Sequence, residues 1–219
     1  MSAARPRIAV IDYDMGNRRS VEKALEQVGA SAGITRDVQE IQQADALVLP
    51  GVGAFPRGMQ NLRRYGLDET LRDRAAAGTP LLGICLGMQL LFDSSTELGE
   101  LTAGLGLIGG EVRAIDAGKL RVPHIGWNEV RFERDSQLTA ELAAEGAPFY
   151  HVHSYAAHPV EQEHVVGTTA YGERFATIVA RGSVYGTQFH PEKSSRDGLT
   201  LLASFVRLVR AAAAAGVYA

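Results

Sequence analysis

The 219-residue chain has a single cysteine, so no internal disulfide can form and nothing points to an oxidising compartment. It has no long apolar run. After Met1-Ser-Ala-Ala-Arg-Pro-Arg7 the hydrophobic stretch Ile8–Ile11 ends at Asp12, too short for a signal peptide or a membrane span, so a cytoplasmic location is expected. Neither charge sign dominates: 22 Lys and Arg face 25 Asp and Glu, with a net charge of −3 and a pI near 6.1. That leaves no electrostatic footprint for nucleic acid. Repeats and linkers are also missing. What remains is an ordinary globular composition, 46% hydrophobic and 21% charged, long enough for one sizeable domain. A single domain over residues 1–219 is expected, with a core of about residues 7–210 and an alanine-rich tail over 211–219 that frays.

The first half alternates strand and helix signals. Ile8–Ile11 reads as a buried strand. Val21, Ala24, Leu25 and Val28 fall at helical spacing before Gly29. A strand near Ala30–Ile34, a helix capped by Asp37 with Glu40 in capping-box position, and a strand Ala46–Leu49 follow. Helical patterns over Met59–Tyr65 and Leu67–Ala77 come next. This alternation predicts an α/β fold with a mostly parallel, doubly wound sheet and ligands at the strands' carboxyl ends. Beyond residue 97, Gly110–Ile115, Trp127–Phe132, Phe149–Val152, Val165–Tyr171, Thr177–Arg181 and Val184–Phe189 read as strands of an antiparallel extension. A short helix is predicted over Ser136–Ala144, and a closing helix carries Leu199, Leu202, Phe205, Val206 and Val209. Gly104-Leu-Gly-Leu-Ile-Gly109 matches the dinucleotide fingerprint, but a polar segment precedes it and a strand follows, so a glycine-rich turn is expected.

The centre of the chain is Thr79-Pro-Leu-Leu-Gly-Ile-Cys-Leu-Gly-Met-Gln-Leu-Leu-Phe92. Leu81, Leu82 and Ile84 form a buried strand, and Met88, Leu91 and Phe92 fall at helical spacing. Gly83-Ile-Cys-Leu-Gly87 between them has the form of a nucleophile elbow, with Cys85 in the serine's place. A cysteine nucleophile needs a base, and the base needs an orienting group. His190 ends the apolar strand Val184–Phe189 and precedes Pro191, which favours extended backbone. Glu192, two residues on, then points to the same side and can hold one imidazole nitrogen while the other faces Cys85. In Pro50-Gly-Val-Gly53, Gly51 and Gly53 let the backbone around Val52 turn an N–H inward, to make an oxyanion hole with the N–H of Leu86. His151 and His153 share a strand face, but no third ligand lies at a completing spacing, so no metal is expected.

Gly-Ile-Cys-Leu-Gly-Met-Gln at 83–89, His-Pro-Glu at 190–192 and Pro-Gly-x-Gly at 50–53 together resemble the triad-type, class I glutamine amidotransferases, of flavodoxin-like fold. Asp12-Tyr-x-Met-Gly-Asn17, Pro50-Gly-Val-Gly-Ala-Phe55, Val122-Pro-His-x-Gly-Trp-Asn128 and His190-Pro-Glu-Lys-Ser-Ser195 are similar to the glutaminase subunits of imidazole glycerol phosphate synthase. The resemblance implies that Cys85 attacks the glutamine side-chain amide, His190 protonates departing ammonia, and water hydrolyses the glutamyl thioester. It further implies that Gln89, Glu97, Ser154 and Tyr155 hold glutamine, with Gly51–Gly53 as the oxyanion strand. Asn17, Trp127, Asn128, Tyr150 and Lys193 then face a (β/α)8-barrel cyclase that uses the ammonia to form imidazole glycerol phosphate and AICAR in histidine biosynthesis. No cofactor is implied. The chain departs from that pattern at Asp14, where the family has glycine, and at Arg18, where it has an apolar residue; aspartate tolerates a left-handed backbone.

Three other readings compete. A glutaminase serving another synthase, such as pyridoxal phosphate synthase, fits Pro50–Gly53 and Trp127-Asn128 less well. A non-catalytic scaffold does not need Cys85, His190 and Glu192 together. A metal-dependent hydrolase built on His151 and His153 has no use for Cys85.

Overall fold

The structure, a computed structural model, describes residues 4–214. Its first half comprises β1 (Arg7–Ile11), α1 (Arg18–Gln27), β2 (Ser31–Thr35), α2 (Val38–Gln43), β3 (Ala46–Gly51), α3 (Phe55–Arg64), α4 (Leu67–Ala76), β4 (Leu81–Cys85) and α5 (Leu86–Leu90). The second half adds β5 (Phe92–Ser95), β6 (Thr102–Ala103), β7 (Ile108–Ala114), β8 (His124–Phe132), β9 (Gly146–His153), β10 (Tyr155–Pro159), β11 (Val165–Tyr171), β12 (Glu173–Arg181), β13 (Val184–Thr187) and α6 (Ser195–Ala214).

One mixed sheet runs β2-β1-β3-β4-β13-β12-β10-β7-β5-β6, with β11, β8 and β9 branching from β12. The five strands from β2 to β13 are parallel; β12, β10 and β7 continue antiparallel. The arrangement is the expected flavodoxin-like sheet with an antiparallel extension. Alternation along the strands divides the core between two faces. Ala9, Ile11, Leu47 and Leu49 pack with Ile41, Met59, Leu62 and Leu71 under α2, α3 and α4. Ile8, Val10, Ala46 and Val48 pack with Val21, Leu25, Leu202 and Phe205 under α1 and α6. β3 and β4 are therefore buried along their whole length, as central parallel strands must be.

Asp37 caps α2, its carboxylate accepting from the N–H groups of Gln39 and Glu40. The reciprocal half of the expected capping box does not form. The Asp37 N–H donates to Thr35 Oγ1 at 3.0 Å, which leaves Glu40 no task there. Asp14 takes φ +61, so the left-handed turn survives without glycine. Arg18, the other departure, pairs with Asp12.

Two expected helical segments fall short, and one strand forms that was not expected, each for a local reason. The helix after Cys85 stops at Leu90, and Phe92 opens β5 instead of extending it. Its terminal carbonyls are captured by the glycine-rich turn: Leu105 N–H donates to Leu90 O at 2.9 Å and Leu107 N–H to Leu91 O at 2.8 Å. Gly104 permits this approach, since a Cβ there would lie 2.2 Å from Phe92 O. No helix follows that turn, which leads straight into β7, so the fingerprint match is structural. Over Ser136–Ala144 there are only turns. Thr139 N–H bonds Ser136 O and Leu142 N–H bonds Thr139 O, three residues apart, and no helix propagates. Finally, β10 carries no regular alternation of its own; its register with β7 defines it. α6 takes the first residues of the alanine-rich tail into a helix, and 215–219 lie outside the described residues.

Candidate active site

Parallel pairing of β4 with β13 sets Ile84 opposite Thr187, so Cys85 and His190 leave neighbouring strands at the same carboxyl edge. Cys85 sits at φ +54, ψ −110, a conformation that side chains avoid and that a surrounding structure must impose. The flanking glycines show how. A Cβ on Gly83 would stand 2.7 Å from the Gly87 backbone, and one on Gly87 only 1.7 Å from Leu49 O. The elbow closes only because both positions lack a side chain.

His190 is fixed through its backbone. Its N–H donates to Tyr150 O at 3.0 Å and its carbonyl accepts from Ser194 Oγ at 2.6 Å. The preceding Phe189 stacks on Phe149 at 3.9 Å between ring centroids. His190 Nδ1 lies 2.8 Å from Glu192 Oε1, with both side chains fully buried. The predicted contact is present, but its route differs. Pro191–Lys193 form a single 3₁₀ turn, and that turn, not strand alternation, returns Glu192 to the ring. Burial opposes a charged His190 most strongly; Cys85 and Glu192 together outweigh it and raise the pKa to about 9. His190 is thereby poised as an imidazolium beside the sulfur.

A pocket of about 320 Å³ opens at Cys85. Val52, Gly53, Leu86, Gln89, Glu97, Ser154 and Tyr155 line it, all singled out in the sequence, together with Pro123, Val152 and His153. Gly51 pairs with Cys85 across β3 and β4, and a Cβ there would collide with the Tyr13 hydroxyl at 2.1 Å. Glu97 accepts the Phe55 N–H at 2.7 Å; burial raises its pKa above the usual carboxylate range. Gln89 donates to Tyr155 O at 2.9 Å and to Gln188 Oε1 at 3.0 Å. Gln188, buried, sets its Nε2 3.8 Å from Cys85 Sγ. Alternation from His190 on the strand end was the signal that could have found Gln188.

The residues expected at a partner face divide. Trp127 is 53% exposed and meets Tyr150 edge to face across the β8–β9 pair; Ile125 beside it and Lys193 are exposed too. Asn17 turns inward, its amide 2.7 Å from Glu192 Oε1 and 3.2 Å from His190 Nδ1. Asn128 is half-buried and bonds inward as well.

The expectation that no third ligand joins His151 and His153 is overturned. β8 brings His124, and ligand-capable nitrogens of the three buried rings lie within 4.8 Å of one another. Sequence spacing concealed it because His124 pairs with His153 across an antiparallel register. Hydrogen bonding nonetheless commits the nitrogens of His124 and His153. The Asn128 amide donates to Ala170 O at 3.1 Å and accepts from the Glu129 N–H at 2.8 Å, which fixes its orientation. Its Nδ2 therefore donates to His124 Nε2 at 3.2 Å, and the ring's own proton sits on Nδ1, where a metal would need a lone pair.

The family profile described as glutamine amidotransferase class-I matches residues 9–208. The chain is 52% identical over 209 residues to imidazole glycerol phosphate synthase subunit HisH of Moorella thermoacetica, covering 95% of this chain and 98% of that one. It is 50% identical to the subunit of that name from Streptococcus sanguinis, over 91% and 95% of the two chains. It is 47% identical to that of Listeria monocytogenes serotype 4b, over 93% and 96%. Among solved structures, a glutamine amidotransferase superposes with a TM-score of 0.73 at 20% identity, over 93% and 98% of the chains. PurLQS from Thermotoga maritima superposes with 0.74 at 20% identity, over 93% and 99%. With the elbow, the imidazole and the carboxylate already in place at one sheet edge, these likenesses are decisive: the chain belongs to the class-I glutamine amidotransferases, on their HisH branch.

Proposed function

We propose that the chain hydrolyses glutamine to glutamate and ammonia as the glutaminase subunit of imidazole glycerol phosphate synthase, and that the ammonia passes to a cyclase partner in histidine biosynthesis. The observation that carries this reading is the meeting of Cys85, His190 and Glu192 at the carboxyl ends of adjacent parallel strands, above a pocket lined by Gln89, Glu97, Ser154 and Tyr155.

Cys85 Sγ attacks the amide carbon of the substrate. The oxyanion is taken by the Leu86 N–H and an N–H of the Gly51–Gly53 segment, each such donor typically worth roughly 3 kcal/mol of barrier. His190, protonated, gives its proton to the leaving ammonia, and the glutamyl thioester forms. His190 then removes a proton from water, which attacks the thioester carbon and releases glutamate and the thiolate. Glu192 holds the ring tautomer, and Asn17 holds Glu192.

The cyclase, of (β/α)8-barrel fold, docks on the face bearing Trp127, Tyr150 and Lys193; the pair works in the cytosol and needs no cofactor for the glutaminase half. Among the described residues, no helix is long and apolar enough to cross a membrane. The test is glutamate release by the purified chain with and without the cyclase and its ligand. Weak turnover alone and strong turnover in the pair support the reading. Full turnover alone refutes the dependence on a partner, and no turnover under any condition refutes the glutaminase.

A further inference from the structure

The reaction above uses none of the three buried histidines beside the pocket, yet the protons of two of them, His124 and His153, are ordered by their neighbours. Asn128, oriented from two sides, donates to His124 Nε2. His124 must then carry its proton on Nδ1, which faces His153 Nε2 at 3.2 Å. That bond makes His153 Nε2 an acceptor and puts the His153 proton on Nδ1, which donates to Tyr155 O at 2.9 Å. Each link dictates the next. His151 sets a second Nδ1 3.3 Å from the same Nε2 and has no partner for its own Nε2, so nothing beyond it is determined. Burial lowers the His124 pKa to about 4 and the His153 pKa to about 3, so both rings are neutral near neutral pH, as a directed chain requires.

The chain ends in the glutamine pocket. Tyr155 O accepts from His153 and from Gln89 Nε2, which fills both lone pairs. The other Gln89 N–H goes to Gln188 Oε1. With both its donors committed, Gln89 has only an acceptor oxygen to offer the pocket that it lines.

We propose that Asn128, His124 and His153 are positioning residues, a one-directional hydrogen-bond relay that holds the Tyr155 carbonyl and, through it, turns Gln89 to present an acceptor to glutamine. The proposal rests on the glutaminase reading for the identity of the substrate. It also gives the strand bearing Trp127 a direct line into the pocket, since Asn128 is the next residue on β8.

Two measurements test it. Long-range nitrogen–proton correlation spectra of the ¹⁵N-labelled chain report imidazole tautomers without substrate. Both His124 and His153 are expected as Nδ1–H; either ring as Nε2–H overturns the relay, as does a stoichiometric zinc complex that shifts all three imidazoles. In the complex with saturating cyclase, His153→Leu and His124→Leu are expected to raise KM for glutamine about tenfold and about threefold, with kcat little changed. His153→Asn, whose amide can still donate to Tyr155 O, is expected to recover most of the loss. Equal KM effects in the Leu and Asn variants, or an unchanged KM in both Leu variants, would overturn the proposal. If the glutaminase reading itself fails, the wild-type complex turns over no glutamine while the tautomer pattern stands.

Discussion

Asn17 and Glu192 are joined by a 2.7 Å hydrogen bond onto Oε1, the oxygen that also takes the bond from His190. Asn17 reaches it from the first loop of the chain in a left-handed conformation, φ +77. Asn17 and His190, 173 positions apart, thus share one buried acceptor. Asn17→Ala is expected to lower kcat by about ten- to a hundredfold, the size of a lost hydrogen bond to a charged group, with KM little changed. Steady-state kinetics of the complex decide this; an unchanged kcat would confine Asn17 to partner docking.

Cys85→Ala is expected to abolish glutamine hydrolysis, by at least about four orders of magnitude, while leaving fold and cyclase binding intact. Glutamate release, circular dichroism and a binding titration check the three parts. Undiminished hydrolysis would remove the sulfur from the mechanism.

Stability should peak near the ordinary histidine pKa and fall on both sides. His190 has a folded pKa raised to about 9, so its contribution is complete below about pH 6.5 and lost as pH rises toward 9. His124 and His153 have folded values lowered to about 4 and about 3. The unfolded chain therefore binds more protons between those values and about 6.5, and stability declines as pH falls through that window. Denaturant midpoints measured from pH 4 to 9 test the shape. Cys85→Ala, which removes a principal cause of the His190 shift, should flatten the alkaline limb; an unaltered limb would place its origin elsewhere.

Gly87→Ala is expected to destabilise by about 3 kcal/mol or more, because its Cβ has 1.7 Å to the Leu49 carbonyl and no flexible neighbour to displace. Gly33→Ala, with nothing within 4 Å of its Cβ, should stay within about 0.5 kcal/mol of wild type. Similar losses at both positions in denaturant melts would mean that the elbow is not the constraint.

The parallel half of the fold and the grouping of Cys85, His190 and Glu192 were legible in the sequence because each rests on short-range grammar. Strand runs such as Ala46–Leu49 alternate with helical spacing, and Gly83-x-Cys-x-Gly87 and His190-Pro-Glu192 each fit within a single turn. What escaped depends on pairing between distant segments. The end of α5 is decided by the Leu105–Ile108 backbone, which takes its last carbonyls, and no residue of α5 announces that. β10 has edges set by β7. His124 enters the histidine cluster through its register with His153, 29 positions away. Asn17 carried a motif signal but not its direction, since its left-handed backbone turns the amide inward.

β13 occupies its place beside β4 only after the whole antiparallel extension has been threaded between them in sequence. During synthesis, the Cys85 thiol leaves the ribosome roughly a hundred residues ahead of the His190 imidazole. Such distant closure is slow, and it has a protective corollary. A chain that ends before β13 has Cys85 without His190 and Glu192, so on the proposed mechanism competence to cleave an amide arrives only after the final strand.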